Sequence, residues 1–168
     1  NKLGLNLTWI CDPMHGNTST SKSGYKTRAT ENIFKEIQSF FEIHKSEGTK
    51  AGGIHVEMTG QNVTECLGGM QKISDSEKMK GLTLLSLDRN KIGDKGVESI
   101  VTSNYLNGLT HLMIENNDIT DDGMNLISLS ENMSCLIRLY IDGNHHTDSG
   151  FNALGDSEYL KQLEYPEF

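Results

Sequence analysis

Cysteine is scarce in this chain. Only three occur in 168 residues, Cys11, Cys66 and Cys135. An odd number with no pair at metal-type spacing excludes a disulfide framework. It suits a reducing compartment: the cytoplasm, or a plastid if the source is a photosynthetic eukaryote. Long apolar runs are absent as well. None approaches the ~18 residues a membrane-spanning helix needs, and no signal-peptide pattern opens the sequence. The first residue is Asn, so the chain reads as processed or as a piece of something longer. Basic residues are short in one half. Residues 78–168 hold seven Lys or Arg against fourteen Asp or Glu, a net of −7, whereas residues 1–77 hold eight against nine, a net of −1. The acidic half is a poor nucleic-acid binder, because phosphate contacts need cations. The asymmetry points to two units of different origin.

The first half reads as strand, helix, strand. Leu7–Cys11 is a short apolar run that Pro13 ends, since proline cannot donate to a strand ladder. A polar loop follows to about Thr30. Over residues 31–45, Ile33, Phe34, Ile37, Phe40, Phe41 and His44 recur at helical spacing, which predicts an amphipathic helix capped by Thr30 and ended by Gly48. Gly53–Glu57 reads as a second strand, and Gln61–Met70 as the start of another helix. Parallel strands joined through helices carry their chemistry at the strands' C-terminal ends. His15 lies just past the first strand and Glu57 at the end of the second. An imidazole and a carboxylate brought together there are reasonable ligands for a divalent metal. Lys26 and Arg28, in the loop between, would suit a phosphate or carboxylate. The alternative on spacing alone is a solvated loop with a satisfied histidine.

Three segments carry a resemblance: Cys-Asp-Pro-Met-His-Gly-Asn-Thr from Cys11, Gly-Tyr-Lys-Thr-Arg from Gly24, and Gly-Gly-Ile-His-Val-Glu-Met-Thr-Gly-Gln-Asn-Val-Thr-Glu-Cys-Leu-Gly-Gly from Gly52. Together they resemble the C-terminal part of class II DAHP synthases, over about residues 8–76. That family is a metal-dependent TIM barrel that condenses phosphoenolpyruvate with erythrose 4-phosphate at the head of the shikimate pathway. The resemblance implies that His15 and Glu57 are metal ligands, that the metal is a divalent ion such as Mn or Co, and that Lys26 and Arg28 sit in the substrate site, with Lys26 catalytic. It also implies two further ligands that this sequence lacks: a cysteine far upstream and an aspartate in a Cys-Asp-Pro-Arg-Leu-Asn segment downstream. Cys11 belongs to a different motif. A barrel needs eight strands and about 250 residues, and two strands are legible here. The isolated chain is therefore expected to be inactive.

The second half repeats itself with a period of 27. Leu82-x-x-Leu85-x-Leu87-x-x-Asn90 is followed by Leu109-x-x-Leu112-x-Ile114-x-x-Asn117 and by Leu136-x-x-Leu139-x-Ile141-x-x-Asn144. Each unit continues with Asp-x-Gly, at Asp94, Asp121 and Asp148. This is a leucine-rich-repeat pattern, and its period with a helix is similar to the ribonuclease-inhibitor type. Leu85, Leu112 and Leu139 are expected to stack in the core. Each Asn should bond backbone at the bend, and each Asp should cap its own helix. His146 stands where the earlier units have isoleucine, which suggests a looser C-terminal end.

Binding would fall to variable positions on the strand face. One column reads Asp88, Glu115, Asp142 and another Ser86, Met113, Tyr140. Like charges on adjacent strands repel, so their recurrence points either to a basic protein ligand or to a solvated edge. The fold class expected is thus α/β: an incomplete TIM-barrel fragment of two βα units in residues 1–77, then a short leucine-rich-repeat solenoid in 78–168. Two functions stand open: a synthase fragment that needs the rest of its barrel, or a repeat-type interaction module with a relic synthase segment. In the first half Trp9, Ile10, Ile54 and Val56 are expected to be exposed for want of neighbouring strands. The alternative is that the two strands dock on the first repeat and extend its sheet.

Overall fold

The computed structural model describes residues 8–20, 26–56 and 74–164. Its strands are β1 (Trp9–Cys11), β2 (Thr18–Thr20), β3 (Lys26–Arg28), β4 (Ala51–His55), β5 (Leu84–Ser86), β6 (His111–Met113) and β7 (Arg138–Tyr140). Its helices are α1 (Thr30–Ser46), α2 (Gly93–Val101), α3 (Asp121–Ser128) and α4 (Asp148–Gly155), with short 3-10 turns at Glu77–Met79 and Glu131–Met133. The architecture is α/β. β1, β4, β5, β6 and β7 form one parallel sheet in that order. No helix among the described residues is long and apolar enough to cross a membrane.

The repeat period sets the sheet register. Leu85 pairs with Leu112, and Leu112 with Leu139. All three are essentially inaccessible to solvent. On the other edge Leu85 pairs with Ile54, so the sheet runs across the 77/78 division without a break. Ile54 and Val56, expected to be exposed, are wholly buried. The physical reason is that β5 has an open edge and β4 an apolar face, and pairing satisfies both. Trp9 and Ile10, on the outermost strand, are half exposed. The Gly52–Gly53 pair allows β4 to sit between its neighbours. A Cβ on Gly52 would run into Thr8, and one on Gly53 into the carbonyl and Cβ of Leu84.

Three local expectations change. The loop after β1 contains an antiparallel hairpin, β2–β3, in which Thr18 pairs with Arg28 and Thr20 with Lys26. Thr30 is not the cap of α1 but its first residue; Ala29 precedes it and makes no side-chain cap bond. At the other end Gly48 has φ +62, a left-handed conformation that suits glycine, just past the helix. Ile33 and Ile37 are buried from α1, with Phe34, Phe40 and Phe41 packed beside them. The helix expected from Gln61 to Met70 lies outside the described residues.

The third change concerns the repeat aspartates. Asp94 does not cap α2. Its Oδ1 accepts from the N–H groups of Thr120 and Gly123, and its Oδ2 from the Thr120 hydroxyl, so it closes the start of α3 in the next repeat. Asp121 does the same for Thr147 and Gly150 ahead of α4. A Cβ on Gly123 or Gly150 would collide with that incoming carboxylate, which explains the Asp-x-Gly pairing. Thr120 and Thr147 are the helix caps, each accepting from the N–H two residues on.

Candidate functional site

The turn after β1 is built around Asp12. Its Oδ1 accepts from the N–H groups of Met14 (3.0 Å) and His15 (3.3 Å), and its Oδ2 lies 2.6 Å from His15 Nδ1. Partial burial pushes the Asp12 carboxyl up, but hydrogen bonds from the His15 ring and from the two N–H groups outweigh it. The net position is below the ordinary carboxylate value. His15 is 64% exposed at the C-terminal end of β1. Arg28, on β3, is buried. Its Nε donates to the Met14 carbonyl at 2.8 Å, which ties the hairpin to this turn. Asn17 ties the turn to α1 by donating to Pro13 O and to Glu36 Oε2. Lys26 lies on β3 opposite Thr20. Glu57 lies outside the described residues.

The donors at this turn do not by themselves make a metal site. Among the described residues no group of three or more His, Cys, Asp or Glu could hold an ion. One ring nitrogen of His15, Nδ1, is engaged by Asp12. Burial pushes the Cys11 thiol up to about 11, and the Glu36 and Asp12 carboxylates add to the shift.

The second cluster is on the strand face. Asp88 Oδ1 accepts from Glu115 N at 3.0 Å, and Asp88 Oδ2 from Ser86 Oγ at 3.1 Å. Desolvation raises the Glu115 carboxyl above its ordinary value; Asp88 on one side and Asp142 on the other raise it further, against a smaller lowering by Arg89. Met113 and Tyr140 stand half buried on neighbouring strands, paired in register with each other. His145 reaches Asp118 at 3.4 Å from an exposed position, a loose contact rather than a ligand set.

His55 was not singled out in the sequence. Its Nδ1 lies 2.6 Å from Ser86 Oγ, its register partner. Ser86 gives its one hydroxyl proton to Asp88, so Nδ1 of His55 is the donor in that contact. Aligning Ile54-x-Val56-Glu57 with Leu85-x-Leu87-Asp88 would have found it: His55 occupies the variable slot between two core residues, as Ser86, Met113 and Tyr140 do.

Comparison with known proteins divides the chain in two. Residues 1–83 match the class-II DAHP synthetase family. Residues 81–101 and 107–128 match a leucine-rich repeat. The phospho-2-dehydro-3-deoxyheptonate aldolase of Mycolicibacterium smegmatis is 62% identical over 74 residues, which is 44% of this chain and 16% of that protein. The enzyme of the same name from Streptomyces coelicolor is 56% identical over 70 residues, 42% of this chain and 16% of its own length. The N-terminal segment is thus DAHP-synthase-like and the C-terminal segment repeat-like. The chain spans 16% of the length of either relative.

Proposed function

We propose that this chain works as a leucine-rich-repeat interaction module with a class II DAHP synthase segment joined to its N-terminal side. The strand face takes a basic protein partner. The observation that carries this reading is the acid column: three carboxylates, each two residues past the end of one of three successive parallel strands, with the central one, Glu115, shifted up by desolvation and by both neighbours. Like charges across strands cost up to about 1 kcal/mol a pair. A Lys- or Arg-rich segment laid along Asp88, Glu115 and Asp142 would relieve that repulsion. Met113 and Tyr140 would supply apolar contact beside it. In this reading the repeats form a short solenoid and the first half is an unfinished barrel of two βα units.

The test is calorimetric titration of the full chain with a short Arg- and Lys-rich peptide. Binding should weaken steeply with salt, and it should be lost when Asp88→Asn, Glu115→Gln and Asp142→Asn are combined. These changes keep hydrogen-bonding oxygens while removing charge. Binding that ignores the neutralisation, or no binding at low salt, would leave the acids as a solvated edge.

A second reading is favoured by the close match of the N-terminal segment. The segment would contribute His15 and Glu57 to a divalent metal such as Mn or Co, and Lys26 and Arg28 to phosphoenolpyruvate or erythrose 4-phosphate. The rest of the barrel would come from a longer polypeptide. A reducing location, cytoplasm or plastid, fits the free Cys11 and Cys135.

A further inference from the structure

We infer that the synthase-derived strand β4, with Val56 and Ser74, is the N-terminal capping repeat of the stack, and that the repeat half depends on it for its order. This rests on bond-for-bond equivalence and not on the ligand reading above. Each repeat makes a fixed set of bonds to the repeat before it. Asn117 Nδ2 donates to Leu87 O and Asn144 Nδ2 to Ile114 O, both at 2.9 Å; Asn90 Nδ2 donates to Val56 O at the same distance. Leu87 N donates to Met113 O and Ile114 N to Tyr140 O; Val56 N donates likewise to Ser86 O. Thr110 Oγ1 donates to Thr83 O, and Thr83 Oγ1 to Gly52 O.

The convex side agrees. Ser130 Oγ donates to Val101 O and Ser157 Oγ to Ser128 O; Ser103 Oγ donates to Ser74 O. Gly52, Ile54, Val56 and Ser74 therefore stand where Thr83, Leu85, Leu87 and Val101 stand one repeat later. The sequence carries the same phase upstream of Leu82. Ser76, Ser103, Ser130 and Ser157 recur at 27, as do Met79, Leu106, Met133 and Leu160. All four of the latter are buried. Among the described residues one bond type has no counterpart: Ile92, just ahead of α2, makes no side-chain cap bond, whereas α3 and α4 are each closed by the aspartate of the preceding repeat.

A repeat array needs its terminal core covered, because each unit buries its apolar face only against a neighbour. Ile54 and Val56 lie in register against the first repeat, whose Leu82, Leu85 and Leu87 are fully buried. Native-state hydrogen exchange on the full chain, at rising subdenaturing urea, tests this without mutation. The amides of Val56 and Leu87 should converge on one opening reaction. If β4 exchanges freely while Leu87 and Ile114 stay protected, the cap is wrong. A paired mutation gives the second arm. Val56→Asp should speed exchange at Leu87 and Ile114 by at least about tenfold, whereas Trp9→Ala, on the outer strand, should leave them unchanged. Unchanged exchange at both amides in Val56→Asp would overturn the inference. If Val56→Asp fails to fold, the wild-type urea series decides alone. The peptide-binding test is read separately, since a cap can hold with no basic ligand and a ligand can bind without coupled exchange.

Discussion

Asp94 and Thr120 are partners across two repeats: the carboxylate of one takes both the N–H, at 2.9 Å, and the hydroxyl, at 2.8 Å, of the other. Asp94 thereby serves as the outer cap of a helix that starts 28 residues after its own. Asp94→Ala should lower stability by about 0.5–2 kcal/mol, the range for losing a helix cap. Urea denaturation of the full chain measures it. A midpoint unchanged from the parent would show that water replaces the carboxylate without loss.

The same contact one repeat later sets a pH dependence. The Thr147 N–H and hydroxyl, and then the Gly150 N–H, hold the Asp121 carboxyl below the ordinary carboxylate value. A folded-state pKa below the unfolded one gives stability that is present above the unfolded value and is lost as pH falls through the folded value. Asp12, also held low, acts in the same sense. Melting temperature should therefore fall on acidification through the carboxylate range. Asp121→Asn should flatten that acid limb and melt lower than the parent between pH 6 and 8, a window about two units above the ordinary carboxylate value in which the carboxylate's contribution is fully present. An acid limb identical to the parent's would refute the assignment.

Glu115 has the opposite sign. Its folded-state value is raised, so its charged form costs stability above the unfolded pKa, and the cost is relieved as pH falls through the raised value. Glu115→Gln should melt higher than the parent at neutral pH, by an amount within the ~1 kcal/mol of a like-charge strand pair. It should also bind the basic peptide less well. A variant that is less stable would mean that Glu115 makes a favourable contact outweighing the repulsion.

Much of the second half was legible because its signal is redundant. Leu85, Leu112 and Leu139 sit in one register line, and Asn117 and Asn144 each bond the strand-end carbonyl of the preceding repeat. The junction was less legible. Ile54-x-Val56 is read as a barrel strand by its neighbours in sequence, yet its alternation is also that of a repeat strand, and a period-2 pattern does not name its partner. The direction of the aspartate caps was hidden for a related reason. Asp94 is equally near its own helix and the next in sequence phase, and only the stacking shows which one it reaches. The β2–β3 hairpin was missed because Thr, Ser and Gly are loop residues by composition, whereas two three-residue strands need only backbone pairing. At the candidate site, Asp12 under His15 and the Arg28–Met14 bond could not be read from spacing.

Leu112 tests the core of the stack. It is buried in β6, the middle one of the three repeat strands, with Leu85 and Leu139 in register on either side. Leu112→Ala should cost about 2–5 kcal/mol, the transfer term plus the cavity left behind. A smaller loss would mean that the two neighbouring leucines close the gap, and limited proteolysis within residues 84–140 would report the loosening.

The last prediction is catalytic. The full chain, given phosphoenolpyruvate, erythrose 4-phosphate and Mn2+, should form no condensation product. The chain spans 16% of either synthase relative. Among the described residues no cluster of three metal donors exists. Reacting groups must be held in place for condensation, and displacements of about 1 Å already cost on the order of a hundredfold in rate. In a closed barrel each strand has two barrel neighbours; β4 has a repeat strand as one of its two, so that edge has no place for the next barrel strand. Product that depends on added metal and disappears in His15→Ala would show that the site assembles all the same, through a second copy or an upstream segment. It would make the synthase reading the correct one.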